Sequence, residues 1–319
     1  MGNRTLEQAF NAVFHNKDSF EDFRTLVQED HVEEFQYKDR KVYKTTKKYK
    51  SYLRFLDKVV LRHLAKNSEV VHSYIKQRSV LTAVTAHAGH SAFFLTDIKS
   101  FFPNITTADV ERVLSRDKEL IPVSDFNSYV PYCSQLMTWN DSIPVGFPTS
   151  PQLSNGFLFE FDNALLAFTK SRGLTYTRYS DDIIISGDDK EALLSLRDSV
   201  HELLHAYASP RLFINMEKTR ITHIGNKVKI LGLVITPDGH VTIDSKYKKT
   251  LESILHFYTT DKSRYVDLLN KRFDGKEHSL FGLLHYVKAT DPAYLEKLQR
   301  KYGVLALKML MEERWGDKG

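Results

Sequence analysis

Two apolar strands that each run into aspartate constrain this chain more than any other feature. The run Ala92–Thr96 within AFFLTDIKSFF ends on Asp97, and TYTRYSDDIIISG sets Asp181 and Asp182 between the runs Thr175–Tyr179 and Ile183–Ser186. Short apolar runs rich in aromatic and β-branched residues predict buried strands. A strand that is apolar on both sides of an acidic tip aims the acid out of the core and into a cleft. The segment Ser180-Asp181-Asp182 then reads as a tight hairpin with acids at its tip.

The surrounding pattern predicts helices over 5–16 and 18–28, with Leu6, Phe10, Val13 and Phe14 on one face and Asp18 as a cap. Residues 34–44 read as extended, 49–66 as a helix burying Tyr52, Phe55, Leu56, Val59 and Val60, and 79–89 as a third helix. Further helices are expected at 150–171 and 189–207, and strands near 211–216, 219–224 and 228–235, with a Pro-Asp-Gly turn at 237–239. From Ser245 to the end the chain reads as helical. A mixed sheet flanked by helices, followed by a helical lobe, fits this order.

Three acids at strand tips suit magnesium, which takes hard oxygen ligands and leaves places for substrate phosphates. Two such ions ~3.5–4 Å apart can activate a hydroxyl and stabilise a leaving pyrophosphate. Bulk composition adds a partner class. At 319 residues and 42% hydrophobic the chain can bury a core, and its formal charge is +5. Between Lys38 and Lys66 stand eleven Lys or Arg against Asp39 and Asp57, interleaved with Tyr43, Tyr49, Tyr52 and Phe55, so that segment alone carries +9. Cations mixed with aromatics suit a phosphate backbone. No apolar stretch is long enough to span a bilayer, MGNRTLEQAF lacks a secretion signal, and the lone Cys133 excludes an intramolecular disulfide framework. No membrane partner is expected, and a reducing cytoplasm is the simplest setting.

At these residues the chain resembles the bacterial reverse transcriptases, most closely those of retrons. LTDIKSFFPNI (95–105) looks like the family's first catalytic motif, and IPVGFPTSPQLSN (143–155) like the loop and helix that line its nucleotide pocket. TYTRYSDDIIIS (175–186) looks like the Tyr-x-Asp-Asp motif, with INMEKTRI (214–221) and VKILGLVI (228–235) resembling later palm and primer-grip segments. KDRKVYK (38–44) and YIKQRSVLTA (74–83) resemble the fingers, and HYVKATDPAYLEKLQRKYG (285–303) the end of a retron thumb. Two departures concern the subclass. AVTAH (83–87) keeps His87 but has Ala83 and Val84 where retron enzymes carry Asn-Ala, and Ile230-Leu231-Gly232 replaces Val-Thr-Gly.

The resemblance implies an α+β right-hand polymerase: N-terminal helices and fingers over 1–91, a palm of antiparallel sheet and helices over 92–243, and a helical thumb over 244–319. It implies an RNA-directed DNA polymerase using two Mg2+ ions, with Mn2+ as a substitute, held by Asp97, Asp181, Asp182 and the Ile98 carbonyl. Phe102 takes the place of a steric gate against the ribose 2′-hydroxyl, whereas Phe101 reads as core. Arg40 and Lys38 are candidates to hold the incoming deoxynucleoside triphosphate, with Arg78 a third for which a structural role is preferred, and Gln152 is the pocket side chain to reach it. Lys218 is a candidate proton donor to pyrophosphate. Lys47, Lys48, Lys50 and Arg54 are candidate RNA contacts. The partners implied are a structured non-coding RNA serving as template and primer, the RNA–DNA product, and an effector or toxin protein in antiphage defence. Other defence-type reverse transcriptases, protein-primed or untemplated, and group II intron-like enzymes remain as alternatives.

Two readings of a different class are set aside. His201-Glu202-Leu203-Leu204-His205 matches the zinc-peptidase motif H-E-x-x-H, but its helix already has an apolar face (Leu193, Leu196, Val200, Leu203, Leu204) and no third ligand is evident. A non-catalytic RNA-binding protein would have no use for three mutually repelling carboxylates.

Overall fold

The computed structural model describes residues 4–38, 40–225, 227–273 and 277–312. The chain divides into two units, Met1–Ser79 with Ala92–Ile221, and Val80–Ser91 with Thr222–Gly319.

The first unit opens with α1 (Leu6–Phe14), where Thr5 and Gln8 cap each other reciprocally, the side chain of each accepting the other's backbone N–H. Helix α2 (Phe20–Arg24) begins on Ser19, which accepts from Asp22 N–H; the expected cap, Asp18, lies one residue too early. Strands β1 (Val32–Tyr37) and β2 (Arg40–Thr45) form an antiparallel hairpin. Helix α3 (Lys47–Val59) starts on Thr46 and buries Tyr49, Tyr52, Leu53, Phe55 and Leu56, while Lys47, Lys50 and Arg54 face solvent. It stops short of the expected residue 66: a 3-10 turn follows at Leu61–His63, and Asp117 takes the Ala65 N–H at 2.9 Å. Phe10 and Phe23 pack on Tyr52 and Phe55 with ring centroids 5.3–5.8 Å apart, fixing these three helices as one aromatic core.

Helix α4 (Val80–Thr85), shorter than the predicted 79–89, belongs to the second unit. Strand β3 (Ala92–Asp97) is buried at every residue. Helices α5 (Thr107–Arg116) and α6 (Val130–Leu136) lead to α7 (Ser150–Phe157) and α8 (Phe159–Lys170), two helices where the sequence predicts one. The break falls at Leu158, two residues after a close tertiary contact at Gly156. A Cβ on Gly156 would stand 3.0 Å from Leu64 and 3.3 Å from Val113, and Arg116 takes the Gly156 carbonyl at 3.0 Å. Strands β4 (Thr175–Tyr179) and β5 (Asp182–Gly187) make the expected hairpin, then α9 (Lys190–Leu194) and α10 (Leu196–Tyr207) divide the predicted 189–207 helix. Strand β6 (Arg220–His223) completes a four-stranded sheet of order β4-β5-β3-β6.

Residues 211–216 are not a strand. They run beside the end of β3 through one isolated bridge, Ile98 to Ile214, and then turn as Asn215 O accepts from the N–H groups of Lys218 and Thr219.

In the second unit β7 (Val228–Ile230), β8 (Leu233–Ile235) and β9 (Val241–Ile243) form an antiparallel sheet, so 228–235 is two strands rather than one. Leu231 (φ 50°) and Gly232 (φ 85°) make the two-residue turn between them. Five helices follow: α11 (Ser245–Thr260), α12 (Lys262–Phe273), α13 (Glu277–Thr290), α14 (Pro292–Tyr302) and α15 (Val304–Glu312). Leu251, Ile254, Leu284, Val287, Leu298 and Leu307 are buried among them. The expected helical tail holds over the described part; its positions 274–276 and 313–319 lie outside the described residues. Among the described residues no helix is long and apolar enough to cross a membrane.

Candidate active site

The antiparallel register of β3 and β5 sets Asp97 directly across from Asp182, with Asp181 in the hairpin turn beside them. The Asp181 carbonyl accepts from Ile98 N–H at 3.0 Å, tying the turn to the residue after Asp97. Two acids at facing positions of paired strands and a third at the adjacent turn are thereby held by a ladder of buried Ile and Phe. Asp97 is 7% exposed, and its two oxygens differ. Oδ2 accepts from the Lys218 ammonium at 2.7 Å, whereas Oδ1 is buried with no hydrogen-bond partner. An orphan anionic oxygen in a buried site is costly unless a cation satisfies it.

Burial, reinforced by the charges of Asp181 and then Asp97, pushes the Asp182 carboxyl up to about 6, against a smaller opposing pull from Lys218. The hydrogen bond from Lys218 to Asp97 raises the lysine above its ordinary range, so the ammonium stays charged. Among the described residues no three His, Cys, Asp or Glu side chains are gathered into a metal-ready cluster. The donor chemistry nevertheless suits a hard divalent cation: the acids offer hard oxygens, one of them is orphaned, and the ammonium at Oδ2 stands where positive charge is wanted.

Because the folded-state pKa of Asp182 lies above its unfolded value, the folded protein binds more protons between about pH 4 and 6, and the site loses stability as pH rises through that window. Asp182→Asn is expected to raise the melting temperature of metal-free protein at pH 7.5 by roughly 2–5 °C, about 1–2 kcal/mol after allowance for solvent screening. The gain should shrink towards zero at pH 4. Melting curves of both proteins in chelator across this range check it; a gap independent of pH would show that repulsion is not its source.

A cavity of about 510 Å³ opens at the acids, lined among others by Arg40, Tyr43, Asp97, Phe102, Asp181 and Lys218, with Ile98 also in its wall. The hairpin bearing Arg40 is fastened there: Tyr43 N–H donates to Val145 O at 2.8 Å, and Gly146 (φ 113°) passes so close to the Tyr43 carbonyl that no Cβ fits. Phe102 is half-buried in the cavity wall, its ring 5.5 Å from that of Phe101, which is core at 3% exposed.

Other candidates lie elsewhere. Lys38 is exposed, its ammonium 5.7 Å from the Tyr37 ring, and does not line the cavity. Gln152 is outside it too, donating to the Tyr74 carbonyl at 2.8 Å, with Lys66 3.4 Å from its amide oxygen. Arg78 donates to Ser68 O at 2.9 Å, a structural bond. Lys47, Lys50 and Arg54 are exposed on α3, and Lys48 pairs with Asp22 at 2.7 Å. The rings of His201 and His205 of the H-E-x-x-H sequence lie tilted against each other, centroids 4.1 Å apart, and both pack against Phe213. Lys99, Ser100 and Asn215, which sequence reasoning passed over, also line the cavity; Lys99 and Ser100 directly follow the Asp97-Ile98 pair and were findable from that position.

Residues 37–235 match the family model described as reverse transcriptase (RNA-dependent DNA polymerase). The retron Mx65 reverse transcriptase of Myxococcus xanthus is 30% identical over 253 residues, which cover 73% of this chain and 54% of that relative. The retron Ec73 reverse transcriptase of Escherichia coli is 30% identical over 245 residues, 72% of this chain and 73% of the relative. The chain thus spans about half the length of the first and about three quarters of the second. A solved structure of telomerase from Candida tropicalis, in complex with a TWJ fragment of telomeric RNA, aligns with a TM-score of 0.49 and 12% identity, covering 90% of this chain and 62% of that one.

Proposed function

The chain belongs to the reverse transcriptase family, and from that premise we propose that it copies a structured RNA into DNA at the Asp97–Asp181–Asp182 site, in the manner of a retron enzyme. The observation that carries the reading is the pairing of Asp97 with Asp182 across β3 and β5, with the buried Asp97 Oδ1 lacking a partner. Asp97, Asp181, Asp182 and the Ile98 carbonyl are the oxygens that would hold magnesium ions. Bound there, two such ions supply the charge that activates a primer hydroxyl and stabilises the leaving pyrophosphate.

The chain's own groups have separable tasks. Arg40, in the cavity wall, binds the triphosphate of a deoxynucleotide through charge-assisted hydrogen bonds. Phe102 sets the sugar choice. Lys218, in the cavity wall, now engages Asp97 Oδ2; a cation held at that oxygen would displace the ammonium and free it to give a proton to pyrophosphate. In this reading the fingers, palm and thumb of a right-hand polymerase correspond to 1–91, 92–243 and 244–319.

RNA binding is assigned to the exposed cations of α3. Lys47→Glu with Lys50→Glu should weaken RNA binding and flatten the dependence of log K on log salt by about 1.4–2 units, while preference for the cognate RNA persists. Lys48→Glu alone should do less, because Asp22 already engages that ammonium. Filter binding across a salt series measures both, and equal effects at Lys48 and Lys50 would contradict the assignment.

A retron enzyme primes from an RNA 2′-hydroxyl, so its DNA remains joined to RNA. Nucleic acid copurified with the protein should run as a branched RNA–DNA molecule that shortens on ribonuclease treatment, its RNA being a folded non-coding transcript. Protein-linked DNA, or DNA with no RNA attached, would instead place the chain with protein-primed or untemplated defence enzymes. Antiphage protection and an effector partner belong to the same proposal, and loss of protection in Asp181→Asn cells is its test.

A further inference from the structure

Arg178 is the bulkiest of the fully buried side chains, and it stands on β4 three residues before Asp181. Its guanidinium forks onto Asp162 of α8, Nε to Oδ1 at 2.7 Å and Nη2 to Oδ2 at 2.6 Å, while the Tyr176 hydroxyl donates to the same Oδ1 at 2.8 Å. A buried ion pair is weak evidence of net stabilisation, since apolar residues of similar volume often serve as well. What the apolar pair could not do is supply the remaining donor. Arg178 Nη1 donates to the Ser180 carbonyl at 2.8 Å and to Asn155 Oδ1 at 3.2 Å. Asn155 Nδ2 donates to the Ser73 carbonyl at 3.0 Å, and Ser73 Oγ accepts from Ser180 N–H at 2.8 Å.

These bonds close a ring through both backbone polar groups of Ser180, the residue immediately before the two acids. Ser180 is held at φ 57°, in the left-handed region that non-glycine residues rarely adopt. Ser73, Asn155, Asp162 and Arg178 are all fully buried, and Ser180 is 8% exposed, so water does not compete for these groups. None of them touches the cavity at the acids.

We propose that Ser73, Asn155 and Arg178 are positioning residues, whose hydrogen-bonded ring locks Ser180 in its left-handed conformation and so sets Asp181 and Asp182 opposite Asp97 for cation binding. The proposal rests on the metal-site reading given above. The ring also links that hairpin to Asn155, on the helix that follows the cavity loop at Pro144–Val145. Removing one link lets the turn relax, and the acids lose their fixed mutual placement before the fold is lost.

The test compares wild type with Ser73→Ala and Asn155→Ser, each of which removes one link of the ring. Mn2+ binding is followed by electron paramagnetic resonance, Mg2+ dependence by DNA synthesis on an RNA template, and folding by melting curves. Ser73→Ala and Asn155→Ser should each weaken Mn2+ binding about tenfold and raise the Mg2+ concentration for half-maximal synthesis similarly, with KM for deoxynucleotides changing less than about twofold. Should one variant fail to fold, the other is read by the same criteria. In metal-free protein, amide exchange over 175–187 should quicken while exchange elsewhere stays as in wild type. Unchanged Mn2+ affinity and Mg2+ midpoint in folded variants, with only a lowered melting temperature, would overturn the proposal and leave the ring a purely structural feature. Weakened Mn2+ binding in variants of a wild type that makes no DNA from RNA would keep the ring and reject the polymerase reading instead.

Discussion

Asp181→Asn should lower Mg2+-dependent DNA synthesis about 10³-fold or more, a loss of roughly 4 kcal/mol of transition-state stabilisation. The amide keeps the shape of the hairpin tip but withdraws a negative oxygen from a site whose work is to hold cations. Folding should not suffer. Asp181 is the largest charge contribution, after burial itself, to the raised pKa of Asp182, so its neutralisation relieves repulsion and the melting temperature should hold or rise slightly. Asp97→Asn should be equally inactive. It also releases Lys218 from a 2.7 Å ion pair, at little cost in stability because that lysine side chain is 62% exposed. Primer extension and melting curves on the same preparations separate the two effects. Near-normal synthesis by Asp181→Asn would remove the acids from the chemistry.

Phe102→Ala should lower the preference for deoxy- over ribonucleotides on the order of 10²-fold, about 3 kcal/mol in the difference between their transition states. Phe102 shares a cavity wall with Arg40, Asp97 and Asp181, so a ring there is within reach of the sugar of a nucleotide bound at the acids. Its neighbour Phe101 is 3% exposed. Phe101→Leu should therefore cost about 1 kcal/mol of stability and leave sugar choice alone. The quantity to compare is the ratio of kcat/KM for matched deoxy- and ribonucleotides in each variant. An unchanged ratio in Phe102→Ala would return that ring to the core.

How much of this was legible in the sequence follows from which forces are local. The strands ending on Asp97 and following Asp181-Asp182 were readable because each carries a short run of buried apolar residues, and the register then brings the acids together. The split of 150–171 at Leu158 was not, since the neighbours packed beside it, Leu64 and Val113 against Gly156, come from elsewhere in the sequence. Nor was the loss of the 211–216 strand, where Asn215 turns the chain by accepting two N–H groups. Side-chain destinations were least legible. Lys218 was picked out for its motif, but its bond to Asp97 joins residues 121 apart in sequence. Gln152 sits in the pocket motif, yet the Tyr74 carbonyl has claimed its amide. One signal was present and unused: Arg178 within the apolar strand TYTRY and Asp162 on the apolar face of its helix are charges that no buried position tolerates alone.

The central claim is templated synthesis at one acid site, and primer extension on a heteropolymeric RNA of known sequence tests it most directly. Purified wild-type protein with Mg2+ and all four deoxynucleotides should yield DNA whose sequence is the complement of the template, and chelator or Asp181→Asn should abolish it. DNA of template-independent sequence, or product that persists in Asp181→Asn, would contradict the account.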